Sequence, residues 1–371
     1  MRTVDALHDG SGLRPVRVLV VDDSAMIRRV LTMGLESGCG ITVVGEASHA
    51  AGLPEMIERL RPDVLTLDLE MPRLDGLTFL REMMKRRPMP VVVISSRTGR
   101  GERDTIRALE AGAVAVIPKP TMGVGSGLGT IMGQICDLVR GAAGARAAGP
   151  GRVLHRPSDG RQGFRADWVL GIGISTGGVQ ALGQILPAFP VNSPPLLITQ
   201  HMPAGYTRSF AQRLDGLCRL RVREAADGEL LVPGTAYVAP GGERHMGLRR
   251  DASGRYRIRL IEGPPVSFSR PSVDVLFGQI AEATQGSASA VLMTGMGRDG
   301  AAGLLEIRRS GGRTFTQDEA SCVVFGMPFA AQQIGASERA VALAQIPGSL
   351  LDSVPPAGGA CPARHTPNQE I

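Results

Sequence analysis

Aromatic residues are scarce: three Tyr, nine Phe and one Trp make up 4% of the 371 residues. With so few rings and with dispersed arginines, the formal net charge of +6 reads as a solvated basic surface. No recognition-helix pattern for nucleic acid is visible, and nucleic acid is not an expected partner. The five cysteines form no CxxC pair, which points to free thiols in a reducing compartment. No apolar run is long enough to span a bilayer, and residues 1–15 lack the apolar core of a signal peptide. The expected location is the cytoplasm, without membrane insertion. What is present is 43% hydrophobic residues in a chain long enough for two cores.

The most informative stretch is Val169-Leu-Gly-Ile-Gly-Ile-Ser175-Thr176-Gly177-Gly178. An apolar run ends at a serine, two glycines follow, and Val179 to Leu186 then has helical apolar spacing. Ser175 is therefore expected on a tight strand-to-helix turn, beside free N–H groups able to stabilise an oxyanion. Taken alone, the turn could equally cradle a phosphate or merely join strand to helix. A serine nucleophile needs a base and an orienting carboxylate. His201 stands just past the apolar run Pro195 to Gln200, and Asp299 lies in a glycine-rich loop between Ala290–Met293 and a helix over Ala301–Arg309. All three lie at strand ends, where reactive groups of open α/β sheets gather. His245, on an expected hairpin of 245–250 with 255–261, is a rival base.

The first half alternates strands and helices from Val16 to Arg140, which argues for a parallel sheet covered by helices. Asp22, Asp23, Asp68, Ser95 and Lys119 each follow an apolar strand, so they converge on one sheet edge. Three carboxylates together repel unless neutralised, and a hard cation such as Mg²⁺ suits such oxygen ligands. An Asp in this setting can accept a phosphoryl group.

These motifs carry two resemblances. Gly173-Ile-Ser175-Thr-Gly-Gly178, Gln200-His201-Met-Pro203 and Thr294-Gly-Met-Gly-Arg-Asp299-Gly300 resemble the three signature stretches of the CheB family, the chemotaxis protein-glutamate methylesterase/glutaminases. The order Ser, His, Asp differs from those of the chymotrypsin, subtilisin and α/β-hydrolase families. Val20-Val-Asp22-Asp23-Ser24, Leu67-Asp68 through Asp75-Gly76 and Pro118-Lys119-Pro120 resemble the response-regulator receiver family.

The resemblances imply two doubly wound α/β parallel-sheet domains: a flavodoxin-like receiver (16–140) and a three-layer methylesterase domain (166–350). A loose extension (1–15), a flexible linker (141–165) and a disordered tail (351–371) complete the expected organisation. They imply a Ser175, His201, Asp299 triad with the backbone N–H groups of Thr176 and Met296 as oxyanion donors, and no cofactor for the esterase step. In the receiver they imply Asp68 as phosphoacceptor, Asp22, Asp23 and Asp68 around Mg²⁺, and Ser95 and Lys119 contacting the phosphoryl group. Lys119-Pro120 is expected to be cis. The implied partners are methylated chemoreceptor helices as substrate and a chemotaxis histidine kinase as phosphodonor.

Two departures stand out. Val116 occupies the position where receivers commonly carry a switch Phe or Tyr, and Ser269 the position where related chains often have His. Two other functional classes remain: a nucleotide-binding regulator using Gly173–Gly178, and a receiver-driven transcription factor. The first requires neither His201 nor Asp299, and the second requires a basic helix that residues 168 onward do not show.

Overall fold

The computed structural model describes residues 14–71, 76–95, 99–119, 128–145 and 163–357. In the first domain, β1 (Val16–Val21), α1 (Ala25–Glu36), β2 (Ile41–Ala47), α2 (Leu53–Leu60), β3 (Val64–Asp68), α3 (Gly76–Arg86), β4 (Val91–Ser95), α4 (Gly99–Ala111), β5 (Ala115–Pro118) and α5 (Leu128–Ala143) alternate as the apolar pattern requires. The strands form one parallel sheet in the order β2-β1-β3-β4-β5. Side-chain alternation divides the strand residues between two cores. Leu19, Val21, Leu65 and Leu67 face one helical layer, and Val18, Val20, Val64 and Ile94 face the other.

The second domain runs through β6 (Val169–Ile174), α6 (Gly178–Ile185), β7 (Leu196–Gln200), α7 (Tyr206–Asp215), β8 (Arg221–Glu224), β9 (Thr235–Val238), β10 (Arg244–Arg250) and β11 (Tyr256–Glu262). It continues with α8 (Val273–Thr284), β12 (Ala288–Leu292), α9 (Ala301–Arg309), β13 (Arg313–Gln317), α10 (Met327–Gln333), β14 (Arg339–Val341) and α11 (Ile346–Asp352). Seven parallel strands follow the order β14-β13-β12-β6-β7-β9-β8, and β10 and β11 form the expected antiparallel hairpin. The order reverses at β6, whose neighbours are β7 on one side and β12 on the other. Such a reversal opens a crevice beyond the strands' carboxyl ends.

The domains touch through α4. Ile106 is buried in the core that also holds Trp168, Leu182 and Phe210. Gln180 Nε2 donates to the Leu109 carbonyl at 2.8 Å, and Arg213 Nε pairs with Glu110 Oε1 at 2.8 Å.

Several expectations need correction. Helix α2 begins only at Leu53, because Gly52 has φ 78° and Pro54 can only stand in the first turn. Residues 351–357 are not a loose tail. Leu351 and Val354 are buried in the second core, and the Pro355 carbonyl accepts from Arg165 N at 3.2 Å. Cys39 and Cys136 are not free thiols but a disulfide pair, with Cα atoms 6.0 Å apart; their separation of 97 residues hid their proximity. Cys218 and Cys322 form no disulfide among the described residues. The Lys119–Pro120 bond lies outside the described residues. Among these residues, no helix is long and apolar enough to cross a membrane.

Candidate active site and receiver site

Ser175 follows β6, His201 follows β7, and Asp299 lies in the loop after β12, so the three sit on adjacent central strands at the order reversal. Ser175 N donates to the Thr294 carbonyl at 3.0 Å. Gly177, at φ 81°, turns the chain into α6 in a conformation that a Cβ would strain. Gly295 lets the neighbouring loop approach, since a Cβ there would stand 2.8 Å from Ser175 Cβ. Gln200 Nε2 ties the first two loops together by donating to the Ser175 carbonyl at 2.9 Å and the His201 carbonyl at 3.0 Å.

His201 Nε2 lies 2.7 Å from Asp299 Oδ2. Asp299 is almost fully buried. Burial disfavours its charge, but hydrogen bonds from His201, Val273 N and Ser272 Oγ outweigh that and hold the carboxyl below its ordinary range. An ionised carboxylate only accepts, so Nε2 carries the proton and Nδ1 keeps its lone pair. Among the described residues Ser175 Oγ makes no hydrogen bond to His201; instead Ser269 Oγ lies 3.3 Å from Nδ1. The Thr176 and Met296 N–H groups donate to no acceptor among the described residues, which leaves both available to an oxyanion.

His245 is excluded as a base. It is buried, its Nδ1 accepts from Ser272 N at 3.1 Å, and its Nε2 therefore donates to the Pro264 carbonyl at 3.0 Å. Its place is structural: it fixes Ser272, whose Oγ donates to Asp299 Oδ1 at 2.7 Å. Val273 N and Asp274 N add further bonds to Asp299 at 2.8 and 3.1 Å, so this carboxylate sits on the N-terminus of α8. Asp274 returns the arrangement by accepting from Gly303 N in α9 at 2.8 Å. Burial, with the nearby Asp299 charge adding to it, pushes the Asp274 carboxyl up to about 6. Ser272, Asp274 and Thr294 carry no expected site role in the sequence, and His245 enters it only as a rival base. The one local signal was Ser272 as a helix N-cap, where its Oγ accepts from Val275 N at 3.4 Å.

At the other sheet, Asp22, Asp23 and Asp68 offer carboxylate oxygens all within 4.8 Å of one another. Lys119 Nζ lies 2.8 Å from Asp68 Oδ2 and 3.5 Å from Asp22 Oδ2. Burial opposes the Lys119 charge, but its bond to Asp68 and the surrounding carboxylates raise its pKa. Burial and the Asp68 charge raise that of Asp22, against the bond from Ser24 N. Among the described residues, Asp22 Oδ2 is buried without a hydrogen-bond partner. A buried oxygen that lacks a hydrogen bond, within a trio of carboxylates that share one lysine, fits a hard divalent cation. Ser95 is fully buried, and its Oγ accepts from Thr105 Oγ1 on α4 at 2.7 Å. Val116 packs against one of the first domain's cores.

Comparison with known proteins agrees with both halves. Residues 170–350 match the CheB methylesterase family model, and residues 18–123 match the response regulator receiver domain. A protein-glutamate methylesterase/protein-glutamine glutaminase 2 from Cereibacter sphaeroides is 54% identical over 335 residues, covering 90% of this chain and 91% of that one. The chain belongs to the CheB methylesterase family. A second relative bearing that enzyme name, from Bordetella bronchiseptica, is 50% identical over 341 residues, covering 91% of this chain and 97% of its own. The crystal structure of the Thermotoga maritima CheB methylesterase catalytic domain covers 52% of this chain and 98% of its own, with 38% identity and a TM-score of 0.48. The receiver match precedes the methylesterase match along the chain.

Proposed function

We propose that this chain hydrolyses γ-methyl esters of glutamate side chains, and deamidates glutamine side chains, on the cytoplasmic parts of chemoreceptors. His201 Nδ1 takes the Ser175 hydroxyl proton while Oγ attacks the ester carbon. The N–H groups of Thr176 and Met296 hold the developing oxyanion, each worth about 3–4 kcal/mol. The proton passes from His201 to the departing methoxide, and methanol leaves. Water then attacks the acyl-serine, giving one proton to His201; His201 passes it to the departing Ser175 Oγ, and the glutamic acid released ionises to the carboxylate. With a glutamine substrate, ammonia leaves instead. Asp299 holds the Nε2–H tautomer throughout. The observation that carries this reading is the 2.7 Å contact of an acceptor-only carboxylate with His201 Nε2, which leaves Nδ1 as the basic nitrogen.

Control comes from phosphoryl transfer to Asp68 by a histidine kinase. A divalent cation held by Asp22, Asp23 and Asp68 supplies positive charge that the phosphoryl group needs. Lys119 adds a fixed cation, and Ser95 a hydroxyl. With Val116 at the usual aromatic position, the Ser95–Thr105 hydrogen bond offers another route to α4, since Ile106 packs into the second domain. Met296 also meets Gly141 of α5, where a Cβ would collide with its sulfur, so one oxyanion donor lies against the receiver. Release of these contacts opens the site.

The test is methanol release from methylated receptor membranes by wild type, Ser175→Ala and Asp68→Asn. Release by wild type that vanishes in Ser175→Ala is expected. Undiminished release by Ser175→Ala would overturn the esterase assignment. Phosphodonor stimulation that survives in Asp68→Asn would overturn the assigned control.

A further inference from the structure

The loop between β11 and α8 carries a feature the triad does not use. Val266 and Ser269 exchange backbone hydrogen bonds, Ser269 N to Val266 O at 2.9 Å and Val266 N to Ser269 O at 3.1 Å. Ser267 and Phe268 form the tip between them, at φ 49° and 62°. Two consecutive positive φ angles define a turn that usually takes Asn or Gly, and a bulky ring is unfavourable there. Phe268 is nevertheless 91% exposed, more than any other large hydrophobic side chain of the described residues. The turn is also held firmly. Arg270 donates from Nε to the Gly242 carbonyl at 2.8 Å and from Nη1 to the Gly263 carbonyl at 2.7 Å.

Among the described residues the ring gains no packing that offsets its unfavourable backbone, and such strain collects where a ligand binds. The location points to the ligand, because the next residue, Ser269, lies 3.3 Å from His201 Nδ1. Among the described residues the receiver does not cover it: the receiver meets α6, α7, Val323 and Met296, and Phe268 stays exposed. A small ester would be consumed at Nδ1 without reaching the turn's tip. A polypeptide carrying the reacting side chain must pass the rim of the site.

We propose that Phe268 is a specificity-determining contact, packing against an apolar side chain of the substrate polypeptide beside the residue whose side chain is hydrolysed. This rests on the esterase reading above. Phe268→Asn removes the ring while keeping a residue that tolerates the left-handed turn. Full-length wild type, Phe268→Asn and Phe268→Tyr are compared on methylated receptor membranes and on a small aryl acetate. The expected result is a KM for the receptor raised about tenfold or more in Phe268→Asn, the loss expected on exposing a buried ring. Its kcat and its aryl acetate hydrolysis stay within about twofold of wild type, and Phe268→Tyr restores KM. An unchanged receptor KM, or an equal fall on the aryl acetate, would overturn the proposal. Binding is read independently of turnover, by titrating a labelled methylated receptor fragment into Ser175→Ala with and without Phe268→Asn. A dissociation constant about tenfold weaker in the double variant is expected, and equal constants would overturn the contact. Absence of wild-type turnover alongside that weakening would sink the esterase reading alone.

Discussion

Two carboxylate sites sit at the carboxyl ends of two parallel sheets in one chain, and they handle charge in opposite ways. Asp299 is satisfied from within: Ser272 Oγ, Val273 N, Asp274 N and His201 Nε2 all face its two oxygens. Asp22 is equally buried, but among the described residues one of its oxygens has no hydrogen-bond partner and lies with two other carboxylates beside Lys119. The complete set around Asp299 suits a group that must hold one geometry through a reaction. The incomplete set around Asp22 suits a site that works only after charge arrives from outside.

Changing Asp299 should have the largest effect. Asp299→Asn keeps its shape but favours the wrong His201 tautomer, so a loss of roughly 10⁴ in kcat is expected, with KM little changed. Asp299→Ala additionally leaves buried donors unpaired. It should lower unfolding stability by about 3–5 kcal/mol in urea titrations.

The same class of substitution at the receiver site should have the opposite sign. Asp22→Asn removes one charge of a repelling cluster, and in chelator the variant should be more stable than wild type by on the order of 1 kcal/mol. Its Tm should no longer rise with added Mg²⁺, whereas that of wild type should. If Asp22→Asn destabilised the chelated protein as Asp299→Ala does, the contrast between the sites would fail.

Asp274 gives a pH test of the complete site. Its folded pKa of about 6 lies above the unfolded 3.8, so the folded state binds the extra proton between those values. Stability from this group is therefore greatest below about pH 4 and falls as pH rises through about 6. Asp274→Asn should match wild type near pH 4 and exceed it near pH 8, as read from urea midpoints. A difference independent of pH would contradict the raised pKa. The smallest effect belongs to the domain contact Arg213–Glu110, whose arginine is half exposed. Arg213→Ala should change stability by less than about 0.5 kcal/mol.

How much was legible follows from where each residue's role originates. Ser175, His201, Asp299, Asp22, Asp68, Ser95 and Lys119 each end or follow an apolar run, so period and turn residues alone brought them to the sheet edges. Motifs of known families then supplied the proposed roles. His245, Ser272 and Thr294 act through partners distant in sequence. Thr294 Oγ1, for example, donates to the Thr176 carbonyl at 2.9 Å, and nothing local signals that contact. The Cys39–Cys136 pair and the burial of Ile106 in the other domain's core were hidden for the same reason. The Phe268 turn ran against its own residue preferences, so its sequence carried no turn signal.

The most direct test of the contrast is methylesterase activity in chelator against activity with Mg²⁺ and a small-molecule phosphodonor. The account predicts that basal methanol release is the same in chelator and in Mg²⁺ alone. It predicts that stimulation requires both Mg²⁺ and phosphodonor, and that it disappears in Asp68→Asn. Loss of basal release in chelator would contradict it, because the proposed triad, with Asp299 satisfied from within, needs no metal.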